Sequence, residues 1–290
     1  MERWEPTPKA GNVNLGCGGV LTTRAPRGPS LILLPHPGDE IACAGLLQHC
    51  CDPVVVFATD GMTEDERSCP TLRRQQKLRY ERRQEATTAL LLAGIQRAEF
   101  LGSYGNNMEV LRLHRGVAQL FDVLWQMMTH YRPEAVLVPA YEGGHPDHDV
   151  CSFVGALLRT RLNTPVWEMP LYHKSDAGEL VYQRFRQMNG TEVIYPLGPE
   201  ELSLRAAMAA CYTSKRDFAY LEADDLECYR PQAEYDYSRP PQNRTVNYEN
   251  RRCPVSPWEL CRQLTLYALR MPVPPAFPGS QQASRHARPQ

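Results

Sequence analysis

Short apolar segments that alternate with longer helical segments constrain the fold of this chain more than any other feature. The pattern predicts buried strands at 31–34, 54–58, 99–101 and 135–138. Helices are predicted between and after them, at 41–50, 77–93, 110–131 and 149–161. Such alternation is typical of right-handed βαβ units and a mostly parallel sheet. We therefore expect an α/β fold, with helices flanking a mostly parallel sheet.

The domain organisation follows from length and local composition. A chain of 290 residues allows one large domain or two small ones. We expect an irregular N-terminal segment at 1–30, a single α/β domain at 31–271 and a disordered tail at 272–290. Within the domain, further strands are expected at 166–172 and 192–195, and a helix at 199–210. The polar, aromatic segment 222–257 is expected to pack as a long irregular C-terminal extension.

Composition excludes several functional classes. The 32 Lys and Arg residues nearly balance the 33 Asp and Glu residues, so the net charge of -1 offers no surface for nucleic acid or anionic lipid. No apolar run approaches the ~20 residues that span a bilayer, and the N-terminus lacks a signal-peptide pattern. A cytoplasmic protein is expected, and homo-oligomerisation is left open. The ten cysteines include no Cys-x-x-Cys pair, which favours buried thiols over disulfides or a thiolate metal site.

Two polar clusters stand directly after the first and fourth predicted strands, at 35–40 and 141–149. Parallel sheets bind ligands at the carboxyl ends of their strands. His36, Asp39 and His148 would supply two imidazoles and one carboxylate, a ligand set that leaves a zinc ion one open position for catalysis. His145 would be a nearby acid, with Asp147 holding its ring in one tautomer. We therefore predict one zinc ion per chain.

Each cluster alone has a simpler interpretation, because Pro, Gly and Asp are common turn formers. Their placement after two strands of one parallel sheet favours the metal site. Two histidines and one carboxylate also suit Fe(II), so an iron enzyme remains an alternative.

The two clusters resemble the motifs of the PIG-L/LmbE-like deacetylases, zinc hydrolases of N-acetylglucosamine-type substrates whose motifs are His-Pro-Asp-Asp-Glu and His-Pro-Asp-His. Similar segments elsewhere are Thr59-Asp60-Gly61, Arg82-Arg83-Gln84-Glu85-Ala86, Phe100-Leu101-Gly102, Cys211-Tyr212-Thr213-Ser214-Lys215 and Tyr229-Arg230-Pro231. The resemblance implies a Rossmann-like, LmbE-like fold and a small-molecule substrate, an N-acylated amino sugar or its conjugate.

Position by position, His36, Asp39 and His148 match the family's zinc ligands. The resemblance implies that His145 assists the tetrahedral intermediate or the leaving amine, with Asp147 as its partner. It also implies that Arg82 contacts the substrate.

Gly38 departs from the family pattern, in which this position is the aspartate that acts as general base. Glycine has no group for that role, so low activity is expected unless another carboxylate replaces it. The candidates are Glu142, Asp60 and Glu64. The sequence thus predicts a zinc-dependent N-deacetylase, with a metal-binding relative of little or no activity as the alternative.

Overall fold

The computed structural model describes residues 30–69, 71–103, 108–214, 225–241, 246–249 and 253–271. The irregular segment expected at 1–30, apart from Ser30, and the tail expected at 272–290 lie outside the described residues.

The described residues form nine strands in two sheets. They are β1 Ser30–Leu34, β2 Val54–Phe57, β3 Arg97–Phe100, β4 Ala135–Pro139, β5 Val166–Met169, β6 Tyr172–Lys174, β7 Leu180–Tyr182, β8 Val193–Pro196 and β9 Leu226–Pro231. The main sheet has the order β3-β2-β1-β4-β5-β9-β8, and β6 pairs with β7 separately. The pairs from β3 to β5 are parallel, whereas β9 is antiparallel to both β5 and β8. The expectation of a mostly parallel α/β fold is confirmed.

Helices cover both faces of this sheet. They are α1 Ala44–His49, α2 Glu64–Arg67, α3 Leu72–Leu92, α4 Val117–Tyr131, α5 Pro146–Leu162, α6 Pro199–Ala210 and α7 Pro257–Arg270. Successive residues of a strand point to opposite faces. Accordingly, Ile32 and Leu34 pack into one hydrophobic core, and Leu31 and Leu33 pack into the other. This explains why β1 is apolar at every position from Leu31 to Leu34. No described helix is long and apolar enough to cross a membrane.

Several helix boundaries differ from the sequence predictions. The helix expected at 41–50 is a 3₁₀ turn, Asp39–Cys43, followed by α1, and the helix expected at 110–131 begins with the 3₁₀ turn Leu113–Gly116 before α4. The helix expected from 77 begins earlier, at Leu72. The difference that matters for function is α5, which begins at Pro146 and not at 149. Proline is favoured in the first helical turn, because its missing N–H needs no partner there.

The segment 222–257 is not irregular throughout, because it contains β9 within the main sheet. Its apolar pattern is hidden by two buried charged residues. Glu227 pairs with Arg205 at 3.1 Å, and Arg230 pairs with Glu168 at 2.7 Å. The strand expected at 166–172 divides into β5 and β6, and neither β7 nor α7 was anticipated.

The chain order places both polar clusters at one point of the sheet edge. From β1 the chain builds β2 and β3 on one side, then crosses to β4 on the other side of β1. Ser30, Leu31 and Ile32 of β1 pair with Ala135, Val136 and Leu137 of β4. The carboxyl ends of the two strands therefore adjoin at the switch point of the topology, where open α/β sheets bind ligands.

Candidate metal centre

The segment after β1 folds into a tight turn around Asp39. Gly38 has φ of 104°, in the left-handed region that favours glycine. The backbone N–H of His36 donates to Oδ2 of Asp39 at 2.9 Å. Below the turn, the fully buried Glu40 carboxylate accepts hydrogen bonds from the Gly38 N–H, at 2.7 Å, and from the Tyr212 hydroxyl. Glu40 therefore holds the shape of the turn.

The segment after β4 is held by the first turns of α5. His145 is the N-cap, and its Nδ1 accepts the backbone N–H of Asp147 at 3.2 Å. Asp149 folds the preceding loop back onto the helix, because its Oδ1 accepts the N–H groups of Glu142 and Gly143 at 3.2 and 3.0 Å. Its Oδ2 accepts the Tyr248 hydroxyl at 2.9 Å. The histidines of this motif thus project from a rigid helix start.

The structure brings the five predicted residues together in one cluster. Asp39 Oδ2 lies 3.2 Å from Nδ1 of His36 and 3.8 Å from Nε2 of His148. One ring nitrogen from each of His36, His145 and His148 lies within 4.8 Å of the others. His36, Asp39 and His148 are buried, and His145 is partly exposed, so the cluster opens to solvent on the His145 side.

The donor set and its spacing fit a zinc ion. Ligands about 2.0–2.2 Å from a tetrahedral ion lie roughly 3.3–3.6 Å apart. The separations from Asp39 to His36 and His148 are close to this spacing. His145 could contribute a nitrogen in place of Asp39, so two three-residue ligand sets share His36 and His148.

Asp147 contacts both histidines. Its carboxylate lies 3.0 Å from Nε2 of His36 and 3.7 Å from Nδ1 of His145, which also accepts the backbone N–H of Asp147. The N–H groups of Leu111 and Leu113 also bind this carboxylate, at 2.7 and 3.2 Å. A carboxylate behind a metal-binding imidazole fixes the ring and raises its basicity. Asp147 therefore orients His36 through its side chain.

The cluster is electrostatically suited to a cation. Burial would lower the pKa of His36, but the carboxylates of Asp39 and Asp147 outweigh it and raise the pKa to about 9. In contrast, burial holds the pKa of His145 well below its usual range, and the neighbouring His36 adds to this. His145 is therefore neutral. Because its Nδ1 accepts a hydrogen bond, its proton resides on Nε2, which can donate.

The three candidate bases have other partners. Asp60 accepts hydrogen bonds from Arg67 at 2.6 Å and Arg79 at 2.8 Å. Glu64 accepts one from Arg112 at 2.7 Å. Glu142 is buried, and its Oε2 accepts the N–H of Leu171 at 2.9 Å, while Oε1 faces Nδ1 of His173 at 3.7 Å. Each carboxylate is committed to a contact outside the His36 cluster.

Arg82 lies in a buried network. Its guanidinium donates to the Gly61 carbonyl, to Glu66 at 2.7 Å and to the Ser214 hydroxyl at 2.8 Å. Glu85, one turn along α3, does not pair with Arg82 but accepts four hydrogen bonds from Thr213 and Ser214. These contacts join α3 to the loop after β2 and to the end of α6. They therefore stabilise the segments at the edge of the sheet that carries the site.

We expect Arg82→Ala to lower the free energy of unfolding by about 2–3 kcal/mol, because Glu66 and the Gly61 carbonyl lose a charged donor. Urea denaturation measures this, with the exposed Arg73→Ala on the same helix as control. A variant of unchanged stability but higher KM would instead support the substrate contact that the resemblance implies.

Sequence reasoning missed two aromatic neighbours of the site. The Tyr172 ring lies edge-on to His148, with centroids 5.2 Å apart. Tyr212 binds Glu40 beneath the turn. Tyr212 stands in one of the segments that resemble the family, whereas no sequence pattern marks Tyr172.

Comparison with known proteins supports the assignment of the fold. Residues 31–158 match the family described as PIG-L: GlcNAc-PI de-N-acetylase. A zinc-inhibited form of teicoplanin deacetylase Orf2 superposes with a TM-score of 0.52 at 14% identity, covering 70% of this chain and 97% of that chain. A deacetylase–teicoplanin complex superposes with a TM-score of 0.53 at 15% identity and the same coverage. No curated protein sequence matches.

At 14–15% identity the two structural matches show only a shared fold. The similarity to the family rests on the match of residues 31–158. That match spans β1 to α5 and includes both halves of the histidine cluster. Residues 31–158 of this chain are therefore similar to the PIG-L family.

Proposed function

We propose that this protein is a zinc-dependent hydrolase that removes an acyl group, in the simplest case acetyl, from an N-acylated amino sugar or its conjugate. The observation that carries the proposal is the cluster of His36, Asp39 and His148 beside a neutral His145 at the switch point of the sheet. The family description names an N-acetylglucosamine substrate, and the two structural relatives are deacetylases.

His36, Asp39 and His148 would hold the ion, one per chain. When bound, zinc supplies a Lewis acid that polarises the amide carbonyl and lowers the pKa of a coordinated water. His145 would supply a hydrogen-bond donor to the substrate. Its Nε2–H would donate a hydrogen bond to the carbonyl oxygen as negative charge develops there, and the proton that the leaving amine gains would come from the attacking water. Asp147 keeps the ring of His36 in place through its carboxylate.

We expect hydrolysis to be slow, because Gly38 occupies the position of the family's general base. A general base contributes typically ~10²–10⁴-fold to rate. Asp60, Glu64 and Glu142 are held by partners of their own. The same observation favours the second candidate function, a metal-binding relative that no longer hydrolyses. An Fe(II) enzyme with the same ligands is the third, and metal analysis of protein purified without added metal separates it from the others.

The proposal is tested by incubating zinc-loaded protein with N-acetylglucosamine and with an N-acetylated amino-sugar conjugate. We expect acetate and free amine to appear slowly and in equal amounts. If neither the wild type nor Gly38→Asp releases them from any N-acyl sugar, the hydrolase proposal is wrong.

We expect His145→Ala to keep its zinc and to lose hydrolysis, because the variant removes the donor near the carbonyl but leaves His36, Asp39 and His148. Metal content by atomic emission and acetate release measure the two properties. His145→Gln is the control for local folding, since it retains a side-chain amide near the cap position. Loss of zinc in both variants would make His145 a ligand.

A further inference from the structure

A four-residue segment after β9, 246–249, packs against the loop that carries His145. It lies beyond residues 31–158, so it is outside the family match. Three of its four residues are buried, and the fourth, Glu249, is exposed. Since a buried polar side chain needs a partner inside the protein, the contacts of Asn247 show which part of the molecule this segment holds.

Asn247 binds the two carbonyl groups that precede His145. Its backbone N–H donates to the Gly143 carbonyl at 2.8 Å, and its side-chain Nδ2–H donates to the Gly144 carbonyl at 2.9 Å. The Gly144 carbonyl belongs to the same planar peptide group as the N–H of His145. Asn247 is 3% exposed, so water does not compete for these hydrogen bonds. The amide side chain therefore fixes the plane of the peptide from which His145 extends.

The same two glycines are closely packed by their neighbours. A Cβ on Gly143 would stand 2.6 Å from Cγ1 of Val246, and a Cβ on Gly144 would overlap the carbonyl oxygen of Tyr172 in β6. Neither position has room for a side chain. Because glycine restricts its own backbone little, the hydrogen bonds of Asn247 hold this part of the loop in one conformation.

The position of the His145 ring depends on this peptide. The ring lies 4.6 Å from that of His36 and 5.1 Å from that of His148, measured between centroids. Its Nδ1 accepts the Asp147 N–H at 3.2 Å, which leaves Nε2 to donate. That hydrogen bond is at the long end of the usual range, so it does not fix the ring by itself. A rotation of the peptide between Gly144 and His145 would turn the ring and redirect Nε2.

We infer that Asn247 is a positioning residue of the site: through the Gly144 carbonyl it sets the backbone of His145, and with it the direction in which Nε2–H donates. The catalytic consequence rests on the proposed function, in which this donor stabilises charge on the carbonyl oxygen of the substrate. The described hydrogen bonds of Asn247 go to Gly143 and Gly144, and not to the proposed zinc ligands. Asn247 therefore acts on the donor and not on the metal.

Two variants of Asn247 test this role in hydrolysis. Asn247→Ala removes the side-chain amide, and Asn247→Asp keeps its volume but replaces the donor by a carboxylate. We expect each variant to lower kcat for acetate release about tenfold, because a displaced donor is lost mainly in the transition state. KM and the content of bound zinc should stay unchanged. Glu249→Gln, at the exposed position of the same segment, is the matched control and should behave as the wild type.

Hydrogen exchange gives a second measurement that does not depend on hydrolysis. On zinc-loaded protein, NMR follows the backbone amide of Asp147, whose N–H is bound by Nδ1 of His145. We expect this amide to exchange about tenfold faster in both Asn247 variants, because the displaced ring no longer accepts its N–H. The amides of β4 should keep their wild-type rates, whereas a general loss of stability would raise those rates as well.

The outcomes separate this inference from the proposed function. An unchanged kcat, unchanged exchange at Asp147, loss of zinc in the variants, or equally faster exchange throughout β4 would each overturn the role of Asn247 and leave the hydrolase proposal standing. If the wild type itself releases no acetate, the proposed function fails. Faster exchange at Asp147 alone then still supports the positioning of His145 by Asn247, and unchanged exchange overturns it.

Discussion

His148→Ala should reduce the bound metal to less than a tenth of an equivalent after dialysis, whereas the wild type retains about one. The variant removes one of three proposed ligands from a buried cluster. Loss of a residue that merely supports a ligand weakens metal binding by about 10–100-fold, so loss of a ligand itself should cost at least that much. Metal content is measured by atomic emission on protein purified at micromolar concentration.

Two controls make this result specific. His130→Ala removes an exposed histidine near the end of α4 and should leave the metal content unchanged. His148→Gln retains most of the side-chain volume beside Tyr172, so a loss of metal in this variant cannot be attributed to a cavity. Full zinc retention by His148→Ala would show that His148 is not a ligand.

Gly38→Asp should raise kcat by up to the ~10²–10⁴-fold of a general base, with little change in KM. A base acts in the transition state and contributes little to substrate binding, which predicts this separation of the two constants. The substitution has a cost, because φ of 104° is strained for any residue with a Cβ. We expect the free energy of unfolding to fall by about 1–3 kcal/mol.

Gly38→Asn is the matched control, since it has the same size and the same backbone strain but no base. If Asn and Asp raise kcat equally, the gain does not come from proton transfer. If the wild type is already fast, another carboxylate acts as base, and Glu142→Gln should then abolish the activity. In that case the contacts of Glu142 with Leu171 and His173 would have to rearrange when substrate binds.

The centre of the sheet could be predicted from sequence because β1 from Leu31 to Leu34 and the whole of β4 are apolar. Both strands lie between two hydrophobic cores. β9 was missed because Glu227 and Arg230 are buried in it, and their partners, Arg205 and Glu168, are distant in sequence. A local pattern cannot reveal that such charges are paired.

The sequence could predict which residues form the site, but not which contacts they make with one another. Strand ends place His36 and Asp39 opposite the second motif, because adjacent parallel strands end at the same edge. The side-chain bond from Asp147 to His36 depends on α5 beginning at Pro146, three residues earlier than expected. The commitment of Asp60, Glu64 and Glu142 to other partners likewise depends on contacts across the fold.

The hydrolase proposal is tested most directly by measuring acetate release from an N-acetylated amino-sugar disaccharide before chelation, after chelation and after zinc is restored. We predict slow release by the wild type, none after chelation and full recovery with one equivalent of zinc per chain, with Gly38→Asp following the same sequence at a higher rate. Release that persists without metal, or that returns with Fe(II) but not with zinc, would contradict a zinc hydrolase.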